Sequence, residues 1–369
     1  METAKNILFI IDTFGGGGAE KALIEILNRI DHTFNISILA YTSTGIYKNA
    51  LPQNTTVYAI LKSNTSIIYK IIKRFNLHKY YAGFKARRLL KGKKFDTIVS
   101  YMEGPPAMIH LALTHLANKN ITWLHTDTSL FTWDKQYTSK KEKQALYNAM
   151  DHIVAVGDNI LSSLRNSFYL KCNCSVIPNI VDKSAISANA RKEKIPKRRF
   201  TICGVGRLIE CKHWERAISA IAILKQKKII CDLWIVGQGY LIDTLKDQAN
   251  DLKVNEMVHF TGFTTNPYAY MSHADVSVIA SDVEGMPLTL IESSMLGTPI
   301  ITTPCCSIAK EYGNFTDSLI DFTPIAIANK IEEIYSDKSK LEQMQLKTIE
   351  FSKKFDPDVV MQKINLLFN

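Results

Sequence analysis

The segment EGMPLTLIE, which runs from Glu284 to Glu292, places two carboxylates around a predicted helix start. A strand-like apolar run ends at Ile279 before it, and Pro287 is a residue typical of a first helical turn. The loop between them would lie at a helix N-terminus, where free N–H groups and the helix dipole attract anions. Gly285 would let the backbone approach a ligand closely. Two acids around a backbone anion site suit a phosphorylated sugar, although a surface loop acid and an acid that compensates the helix dipole would show the same spacing.

Other candidate residues also stand directly after strand-like runs, where side chains meet at one edge of a parallel sheet. They are Gly15–Gly18 after Ile7–Ile11, Glu103 after Thr97–Ser100, His125 after Ile121–Leu124, and Arg207 with Lys212 after Phe200–Val205. Each has a simpler interpretation alone, since glycines often serve packing, a single histidine is often a core residue and cations often start helices. Their combination is what favours a binding site.

Short apolar strands alternate with helix-length segments through both halves of the chain. That alternation is typical of βαβ units and predicts an α/β protein with two Rossmann-like, doubly wound parallel-sheet domains. The Ala-, Ser- and Lys-rich stretch 184–199 is expected to be a linker between a first domain, 1–183, and a second, 200–350. Residues 351–369 are expected to form a C-terminal helix that packs back on the first domain. Two such domains facing each other would form a central cleft.

Composition excludes several classes of protein. The chain has 369 residues, 46% hydrophobic and 22% charged, which is ordinary for a two-domain globular protein, and no apolar run is long enough to span a membrane. The run Ile7–Ile11 is too short for a signal peptide. The seven cysteines lack zinc-finger or disulfide-framework spacing, which favours reduced thiols. A cytoplasmic location is therefore expected.

The net charge of +10 is concentrated in one stretch, because Lys62–Lys94 contains eleven lysines and arginines and no acid. The remainder of the chain is close to neutral, which argues against a nucleic-acid partner. Within the stretch, apolar residues recur at helical spacing from Ile67 to Phe75, with Lys70, Lys73 and Arg74 on the other side. Such a helix fits an anionic membrane surface, and it equally fits a core-packed helix with a solvated basic face.

Six segments, in order, resemble the retaining GT-B glycosyltransferases of family 4 (glycosyl transferases group 1), which include enzymes of bacterial surface-polysaccharide synthesis. The segments are Gly17–Glu20, Trp123–Asp127, Ile177–Asp182, Gly204–Leu208 with Lys212, Ile235–Gly239, and Glu284–Glu292 followed by Gly297–Ile300. The resemblance spans most of the chain. It implies a GT-B fold and a hexosyltransferase that moves a hexose or N-acetylhexosamine from a nucleotide diphosphate sugar, by family frequency a UDP-sugar, to a glycan acceptor.

The same resemblance implies a role for each matched residue. Arg207 and Lys212 would bind the donor diphosphate, and Glu292 would hold the ribose hydroxyls. Glu284 would position the donor sugar and His125 would lie near its reacting face, so these two are the expected catalytic residues. The remaining assignments are Gly17, Gly18, Gly285, Met286, Pro287 and Leu288 for donor binding, and Glu20 and Glu103 for the acceptor side.

No metal or other cofactor is expected beside the nucleotide sugar. The only Asp-x-Asp sequence, Asp356-Pro357-Asp358, is better interpreted as the cap of the C-terminal helix. The acceptor implied by the resemblance is a lipid-linked glycan in bacterial capsule, exopolysaccharide or lipopolysaccharide synthesis. The enzyme would then be peripheral on the inner face of the cell membrane, held through Lys62–Lys94.

Three other functions are compatible with parts of this pattern. A nucleotide-dependent oxidoreductase also uses glycine turns, but Gly-x-Gly-x-x-Gly is absent, because Ile242 and Ile209 occupy the third glycine position after Gly237 and Gly204. A GT-B epimerase or phosphorylase would keep the fold and change the reaction. A catalytically silent membrane-surface scaffold would not need the acids, the cations and the histidine together.

Overall fold

The computed structural model describes residues 4–61, 78–127, 139–197 and 199–369, and the chain forms two compact units. The first comprises Met1–Ile180 together with Pro357–Asn369, and the second comprises Val181–Asp356. Each unit contains one β-sheet whose neighbouring strands are all parallel. The predicted α/β class with two parallel-sheet domains is confirmed.

The sheet of the first unit has seven strands in the order β3-β2-β1-β4-β5-β6-β7. They are β1 Lys5–Ile11, β2 Phe34–Thr42, β3 Thr56–Leu61, β4 Phe95–Ser100, β5 Ala117–Leu124, β6 His152–Ala155 and β7 Asn173–Val176. The interior strand β1 is buried throughout Ile7–Ile11, since a strand covered on both faces is apolar without alternation. The carboxyl ends of β1, β4 and β5 therefore lie side by side at one edge of the sheet.

Helices connect these strands and cover the sheet. They are α1 Gly18–Leu27, α2 His78–Leu89, α3 Pro105–Leu111, α4 Lys140–Asn148 and α5 Asp158–Ser167, with short 3₁₀ helices at Ile46–Ala50 and Thr114–Leu116. One core cluster joins Leu8 and Ile10 of β1 to Ala82 of α2 and Ile109 of α3. Burial of such apolar side chains is the main term that holds the helices on the sheet.

The second unit repeats the architecture with five strands in the order β10-β9-β8-β11-β12. They are β8 Phe200–Val205, β9 Cys231–Val236, β10 Val258–Gly262, β11 Val276–Ile279 and β12 Ile300–Thr302. Its helices are α6 Lys183–Ala190, α7 Trp214–Gln226, α8 Ile242–Asp251, α9 Pro267–His273, α10 Leu288–Leu296, α11 Ser307–Thr316, α12 Pro324–Ser336 and α13 Lys338–Ser352, with 3₁₀ helices at Glu210–Lys212 and Lys353–Phe355. The central strand β8 lies between β9 and β11, so the loops after β8 and β11 are neighbours.

The stretch expected to be a linker, 184–199, differs from that expectation in its first half, which is the helix α6. Ala, which contributes to the linker-like composition, is also the best helix former, and three alanines lie in α6. The carboxylate of Asp182 caps the helix by accepting the N–H of Ala185 at 2.8 Å. Residues 191–197 follow without regular helix or strand.

The C-terminal helix α14, Pro357–Phe368, belongs to the first unit. Phe368 packs edge-to-face on Phe9 and Phe34, with ring centroids 5.9 and 6.1 Å apart. Lysines from two strands bind the last carbonyl groups, since Lys119 Nζ lies 2.6 Å from the Leu367 oxygen and Lys5 Nζ lies 3.0 Å from the Asn369 oxygen. These cations complement the negative end of the helix dipole.

No helix among the described residues is long and apolar enough to cross a membrane. The amphipathic segment from Ile67 to Phe75, with Lys70, Lys73 and Arg74, lies outside the described residues.

Candidate active site

Lys212 and Glu284 form an ion pair in the second unit. Lys212 ends the 3₁₀ helix that follows β8, and Glu284 lies in the loop after the neighbouring strand β11. The Lys212 ammonium donates to Oε1 of Glu284, and the Ser281 hydroxyl donates to the same oxygen at 2.7 Å. Both side chains of the pair are only partly exposed, 20% for Lys212 and 15% for Glu284. The parallel strands thus bring together two of the predicted site residues.

The loop that carries Glu284 is held from both sides by backbone hydrogen bonds. The Glu284 N–H donates to the Cys305 carbonyl at 2.9 Å, and the Asp282 N–H donates to the Cys211 carbonyl at 3.2 Å. On the β12 side, the Thr303 hydroxyl donates to the Ser281 carbonyl at 2.5 Å. These hydrogen bonds fix the backbone of the loop, and Lys212 and Ser281 orient the Glu284 carboxylate.

A second charged cluster adjoins this pair, and the sequence did not predict it. Nε2 of His213 lies 2.6 Å from Oδ2 of Asp282, and Arg216 donates to Oδ1 of Asp282 at 2.6 Å. Burial tends to raise the pKa of Asp282, but the hydrogen bond from Arg216 and the charges of His213 and Arg216 outweigh it, so the pKa is lowered. The only signal in the sequence was the three-residue spacing of His213 and Arg216 at a helix start, which is common on solvated helices.

Helix α10 begins one residue later than expected. Pro287 is its N-cap, with φ −69° and ψ 114°, rather than a first-turn residue, and its carbonyl accepts the N–H of Leu290 at 3.1 Å. Gly285, Met286 and Leu288 are buried around this start. Glu292 lies on the second turn and is also buried, with 4% of its surface exposed. The helix start therefore offers backbone N–H groups, although Pro287 itself carries none.

Arg207 lies on the loop between β8 and Lys212 and is exposed. Its carbonyl accepts the indole N–H of Trp214 at 3.0 Å, and the adjacent Leu208 is fully buried. The backbone is therefore fixed, while no carboxylate in the part of the chain that the structure describes pairs with the guanidinium. A fixed backbone with an unpaired cation suits binding of an anionic ligand.

The glycines of the Gly237-Gln238-Gly239 turn serve packing against the Arg207 loop. A Cβ on Gly237 would lie 2.0 Å from the Gly206 carbonyl oxygen, and one on Gly239 would lie 2.2 Å from the Leu208 carbonyl oxygen. Hydrogen bonds from Gly206 N–H to Val236 (3.0 Å) and from Leu208 N–H to Gln238 (3.0 Å) join the two segments. This close approach sets the path of the loop that carries Arg207.

His125 follows β5 in the first unit and is buried, and its Nε2 has no hydrogen-bond partner among the described residues. Burial lowers its pKa to about 3, so the imidazole is neutral near pH 7. The Tyr101 ring packs on it with centroids 4.7 Å apart, and Trp123 packs on Tyr101 at 5.1 Å. The Tyr101 hydroxyl and the Trp123 indole N–H are buried and, within the described residues, unpaired. Three buried polar groups thus belong to rings that pack on one another.

Glu103 holds the backbone of His125 in place. Its Oε1 accepts the N–H of His125 at 2.7 Å, the N–H of Thr126, and the Thr126 hydroxyl at 2.9 Å. Burial raises the pKa of Glu103, against the opposing effect of these hydrogen bonds. The carboxylate assigned from the sequence to the acceptor side thus binds the chain's own backbone through one oxygen.

The glycine segment after β1 forms the start of α1, with Gly17 as its N-cap. Glu20, in the first turn, folds back over that start, because a Cβ on Gly17 would lie 2.2 Å from Glu20 Oε2. Glu20 therefore compensates the dipole of its own helix. Gly17 and Gly18 adjoin this acid, and the sequence-based assignment of Glu20 to the acceptor side stays a prediction.

Two clusters result, one in each unit. Glu103, His125 and the Gly17 segment follow the adjacent strands β4, β5 and β1 of the first sheet. Arg207, Lys212 and Glu284 follow the adjacent strands β8 and β11 of the second sheet, with Glu292 on the helix after β11. Ligands of open parallel α/β sheets bind at such carboxyl edges.

Two family models match consecutive parts of the chain. The model described as Glycosyltransferase Family 4 matches residues 16–185, and the model described as Glycosyl transferases group 1 matches residues 185–351. The first match contains Gly17, Glu103 and His125, and the second contains Lys212 and Glu284.

Individual proteins agree with these matches. An N-acetylgalactosaminyltransferase of Campylobacter jejuni that acts on a diphospho-undecaprenol glycan is 26% identical over 82% of this chain and 81% of its own. The Staphylococcus aureus capsular polysaccharide biosynthesis glycosyltransferase CapH is 22% identical over 91% of this chain and 92% of its own. The crystal structure of Anabaena HepE with UDP and glucose shares the fold, with a TM-score of 0.76, 17% identity and 98% of both chains covered. The chain therefore belongs to the group 1 and family 4 glycosyltransferases and is a hexosyltransferase with the GT-B fold.

Proposed function

We propose that this enzyme transfers a hexose or N-acetylhexosamine from a UDP-sugar to a lipid-linked glycan, with retention of the anomeric configuration and without a metal ion. The observation that carries the proposal is the Lys212–Glu284 pair on the loops after β8 and β11, with the exposed Arg207 on the β8 loop. Cations, an oriented carboxylate and the start of α10 share one sheet edge. This combination suits a sugar joined to a diphosphate.

The diphosphate is assigned to the cations. When the bond between the sugar C1 and the diphosphate oxygen breaks, the leaving nucleoside diphosphate gains negative charge. Arg207 and Lys212 stabilise that charge, and the N–H groups at the start of α10 add to the same field. Glu292, on the second turn of α10, is assigned to the ribose hydroxyls, since a carboxylate can accept two hydrogen bonds.

The sugar is assigned to Glu284 of the second unit, and His125 of the first unit stays the other expected catalytic residue. Lys212 and Ser281 orient the Glu284 carboxylate, which accepts hydrogen bonds from sugar hydroxyls. His125, kept neutral by burial, contributes a hydrogen bond rather than a charge. For retention, the acceptor hydroxyl attacks C1 from the face that the diphosphate leaves. Its proton passes to the departing phosphate oxygen, so no covalent enzyme intermediate is formed.

Metal independence is proposed because the chain supplies its own cations at the predicted diphosphate site. Arg207 and Lys212 can neutralise the negative charge of a leaving diphosphate. A divalent metal ion has this role in other transferases. Activity that survives EDTA would agree with the proposal, and activity restored only by Mg²⁺ or Mn²⁺ would contradict it.

The lipid-linked acceptor is proposed from the relatives and from the surface of α2. The Campylobacter relative is named for a diphospho-undecaprenol substrate and the Staphylococcus relative for capsule synthesis. On α2, Tyr80 and Phe84 stand one turn apart and each is 65% exposed. Arg88 and Lys91 are exposed on the same stretch. Aromatic and basic side chains together suit an anionic bilayer at the inner face of the cell membrane.

A donor panel tests the proposal. Purified protein is incubated with UDP-glucose, UDP-galactose and their N-acetylamino forms, and with GDP- and dTDP-sugars, while melting temperature and free nucleotide are measured. One UDP-sugar should raise the melting temperature and release UDP, and the product made with a polyprenyl-diphosphate glycan should keep the donor's anomeric configuration in NMR spectra. Stabilisation by GDP- or dTDP-sugars alone, or an inverted product, would contradict the proposal.

A further inference from the structure

We propose that His213 is a positioning residue of the donor site, whose imidazole holds the Glu284 loop against the Lys212 loop. The inference rests on the proposed function, since it concerns the same donor site. His213 directly follows Lys212, and Asp282 lies two residues before Glu284. The contact between His213 and Asp282 therefore adjoins the ion pair in both loops.

The backbone of His213 points to a use for its side chain. With φ 51° and ψ 46°, it adopts the left-handed conformation, which residues with a Cβ seldom adopt. Its N–H donates to the Glu210 carbonyl at 3.0 Å, so the turn between the 3₁₀ helix and α7 is already closed by the backbone. Glycine would form this turn with less strain. A histidine at this position therefore needs a reason, and ring contacts that glycine cannot make would supply one by offsetting the backbone strain.

Those contacts are present on both ring nitrogens. Nε2 lies 2.6 Å from Asp282 Oδ2, and Nδ1 contacts Oε1 of Glu215 in the first turn of α7. Arg216 completes the arrangement, since it donates to Asp282 Oδ1 at 2.6 Å and to the Ala280 carbonyl at 3.1 Å. The Glu284 loop is therefore tied to the start of α7 by hydrogen bonds that involve charged groups.

The quantity that His213 would control is the position of Glu284 relative to Lys212. Apart from the side chains, the described link between these two loops is the long hydrogen bond from Asp282 N–H to the Cys211 carbonyl, 3.2 Å. Loss of the imidazole would leave this hydrogen bond and the side-chain pairs Arg216–Asp282 and Lys212–Glu284 as the described links between the loops. The Glu284 loop would then be held less firmly against the Lys212 loop and could shift. In the proposed function, Lys212 stabilises the negative charge that develops as the diphosphate leaves. A shift of Lys212 relative to Glu284 on the order of 1 Å should therefore lower the rate of transfer more than it lowers donor affinity.

Two substitutions separate the side chain from the backbone. His213→Gly relieves the left-handed conformation and removes both ring contacts, whereas Lys253→Gly makes the same backbone change at an exposed residue with φ 57° in the turn after α8. We expect His213→Gly to lower kcat at least about tenfold, to change the donor KM less than about threefold and to leave the melting temperature at or above that of the native protein. Lys253→Gly should keep kcat and KM.

The donor chosen for these measurements is the UDP-sugar that the panel identifies. His213→Asn, which tolerates the left-handed conformation and retains a side-chain donor, should recover part of the lost kcat. A kcat for His213→Gly equal to that of Lys253→Gly would overturn the proposal.

A donor-free measurement keeps this inference distinct from the proposed function. The coupling between Lys212→Met and Glu284→Gln is measured in a double-mutant cycle by chemical denaturation, first in the native background and then in the His213→Gly background. We expect the coupling to fall by at least about half without the imidazole. Unchanged coupling would overturn the role of His213 whatever the donor, whereas lost coupling in a protein that binds no UDP-sugar would contradict only the proposed function.

Discussion

Lys212 donates to the carboxylate of Glu284, and this pair joins the loop after β8 to the loop after β11. The two residues are 72 positions apart in the chain. Each is mostly buried by its surroundings, so removal of one leaves the other without its counter-charge at the sheet edge. In the proposed function, the donor sugar and its diphosphate would thus bind next to an acid and a cation that hold each other in position.

Substitution of either residue should therefore impair transfer. We expect Lys212→Ala and Glu284→Ala each to reduce the rate at saturating donor at least tenfold, about 1.4 kcal/mol of barrier. Release of nucleotide in the presence of acceptor measures the effect. The matched control is Lys227→Ala, which removes a lysine paired with Glu332 elsewhere in the second unit. Full activity of Lys212→Ala would rule out the assignment of Lys212 to the leaving diphosphate.

His125 should make stability depend on pH on the acid side. Burial lowers its pKa from 6.5 to about 3 in the folded protein, so only the unfolded chain binds its proton between these values. The stability that His125 contributes is thus present above pH 6.5 and is lost as pH falls towards 3. We expect native protein to lose stability relative to His125→Asn by up to about 1.4 kcal/mol per pH unit.

Urea denaturation at several pH values from about 7.5 to 4.5 measures that difference. His110, also buried and with its pKa lowered to about 4, remains in both proteins and so cancels from the comparison. Parallel stability curves for native protein and His125→Asn would show that the imidazole is not buried in solution.

The exposed face of α2 should govern attachment to anionic vesicles. We expect Phe84→Ser with Arg88→Ser to weaken retention on liposomes of phosphatidylglycerol, because the double variant loses an aromatic anchor and a cation. Sedimentation at low and at about 0.5 M salt measures binding and its electrostatic part. Leu346→Ser, at a residue 69% exposed in the second unit, is the control. Equal retention of the variants, or equal binding to neutral lipid, would contradict the membrane role.

The cations before α2 can be tested in the same assay. Neutralisation of Lys70, Lys73 and Arg74 should also reduce retention at low salt, since the sequence predicts them on one face of a helix. If retention on anionic lipid is unchanged, the basic stretch Lys62–Lys94 has no part in attachment.

Gly237 and Gly262 form a matched pair for the loop that carries Arg207. Both have positive φ, 145° and 75°, but a Cβ on Gly237 would lie 2.0 Å from the Gly206 carbonyl oxygen, whereas one on Gly262 would contact nothing within 4 Å. Gly262→Ala should cost about 1 kcal/mol of stability from backbone strain alone. Gly237→Ala should cost more than about 2 kcal/mol and also weaken donor binding, measured by denaturation and thermal shift. Equal losses of stability for Gly237→Ala and Gly262→Ala would show that the Gly237 turn and the Arg207 loop can move apart without cost.

Residue type and strand-end position were sufficient to predict some of the side chains that gather at each sheet edge, although not the cluster of His213, Asp282 and Arg216. Strand β1 was visible as the unbroken apolar run Ile7–Ile11, and parallel strands necessarily align their carboxyl ends. From that geometry, Arg207, Lys212 and Glu284 could be expected on neighbouring loops. The family resemblance supplied the roles that spacing alone left open.

The side-chain contacts that the sequence could not predict depend on the conformation of flexible carboxylate side chains and on the tertiary structure. Glu20 and Glu103 stand after strands, as ligand-binding acids do. The Glu20 carboxylate, however, folds over the start of α1, and Glu103 accepts the N–H of His125. The contact of His213 with Asp282 joins residues 69 positions apart, and no periodicity encodes it. Helix α6 was mistaken for a linker because segments rich in Ala and Ser occur in both linkers and helices, and the cap from Asp182 favours the helix here.

The attachment of α14 to the first sheet has a consequence for biosynthesis. Phe368 fills a place beside Phe9 and Phe34, and the residues that complete this core leave the ribosome only after the entire second unit has been made. Domains usually begin to fold as they emerge. Here the apolar surface that α14 covers on the first sheet would stay exposed while all of Val181–Asp356 is translated. Nascent chains of this protein should therefore be candidates for chaperone binding.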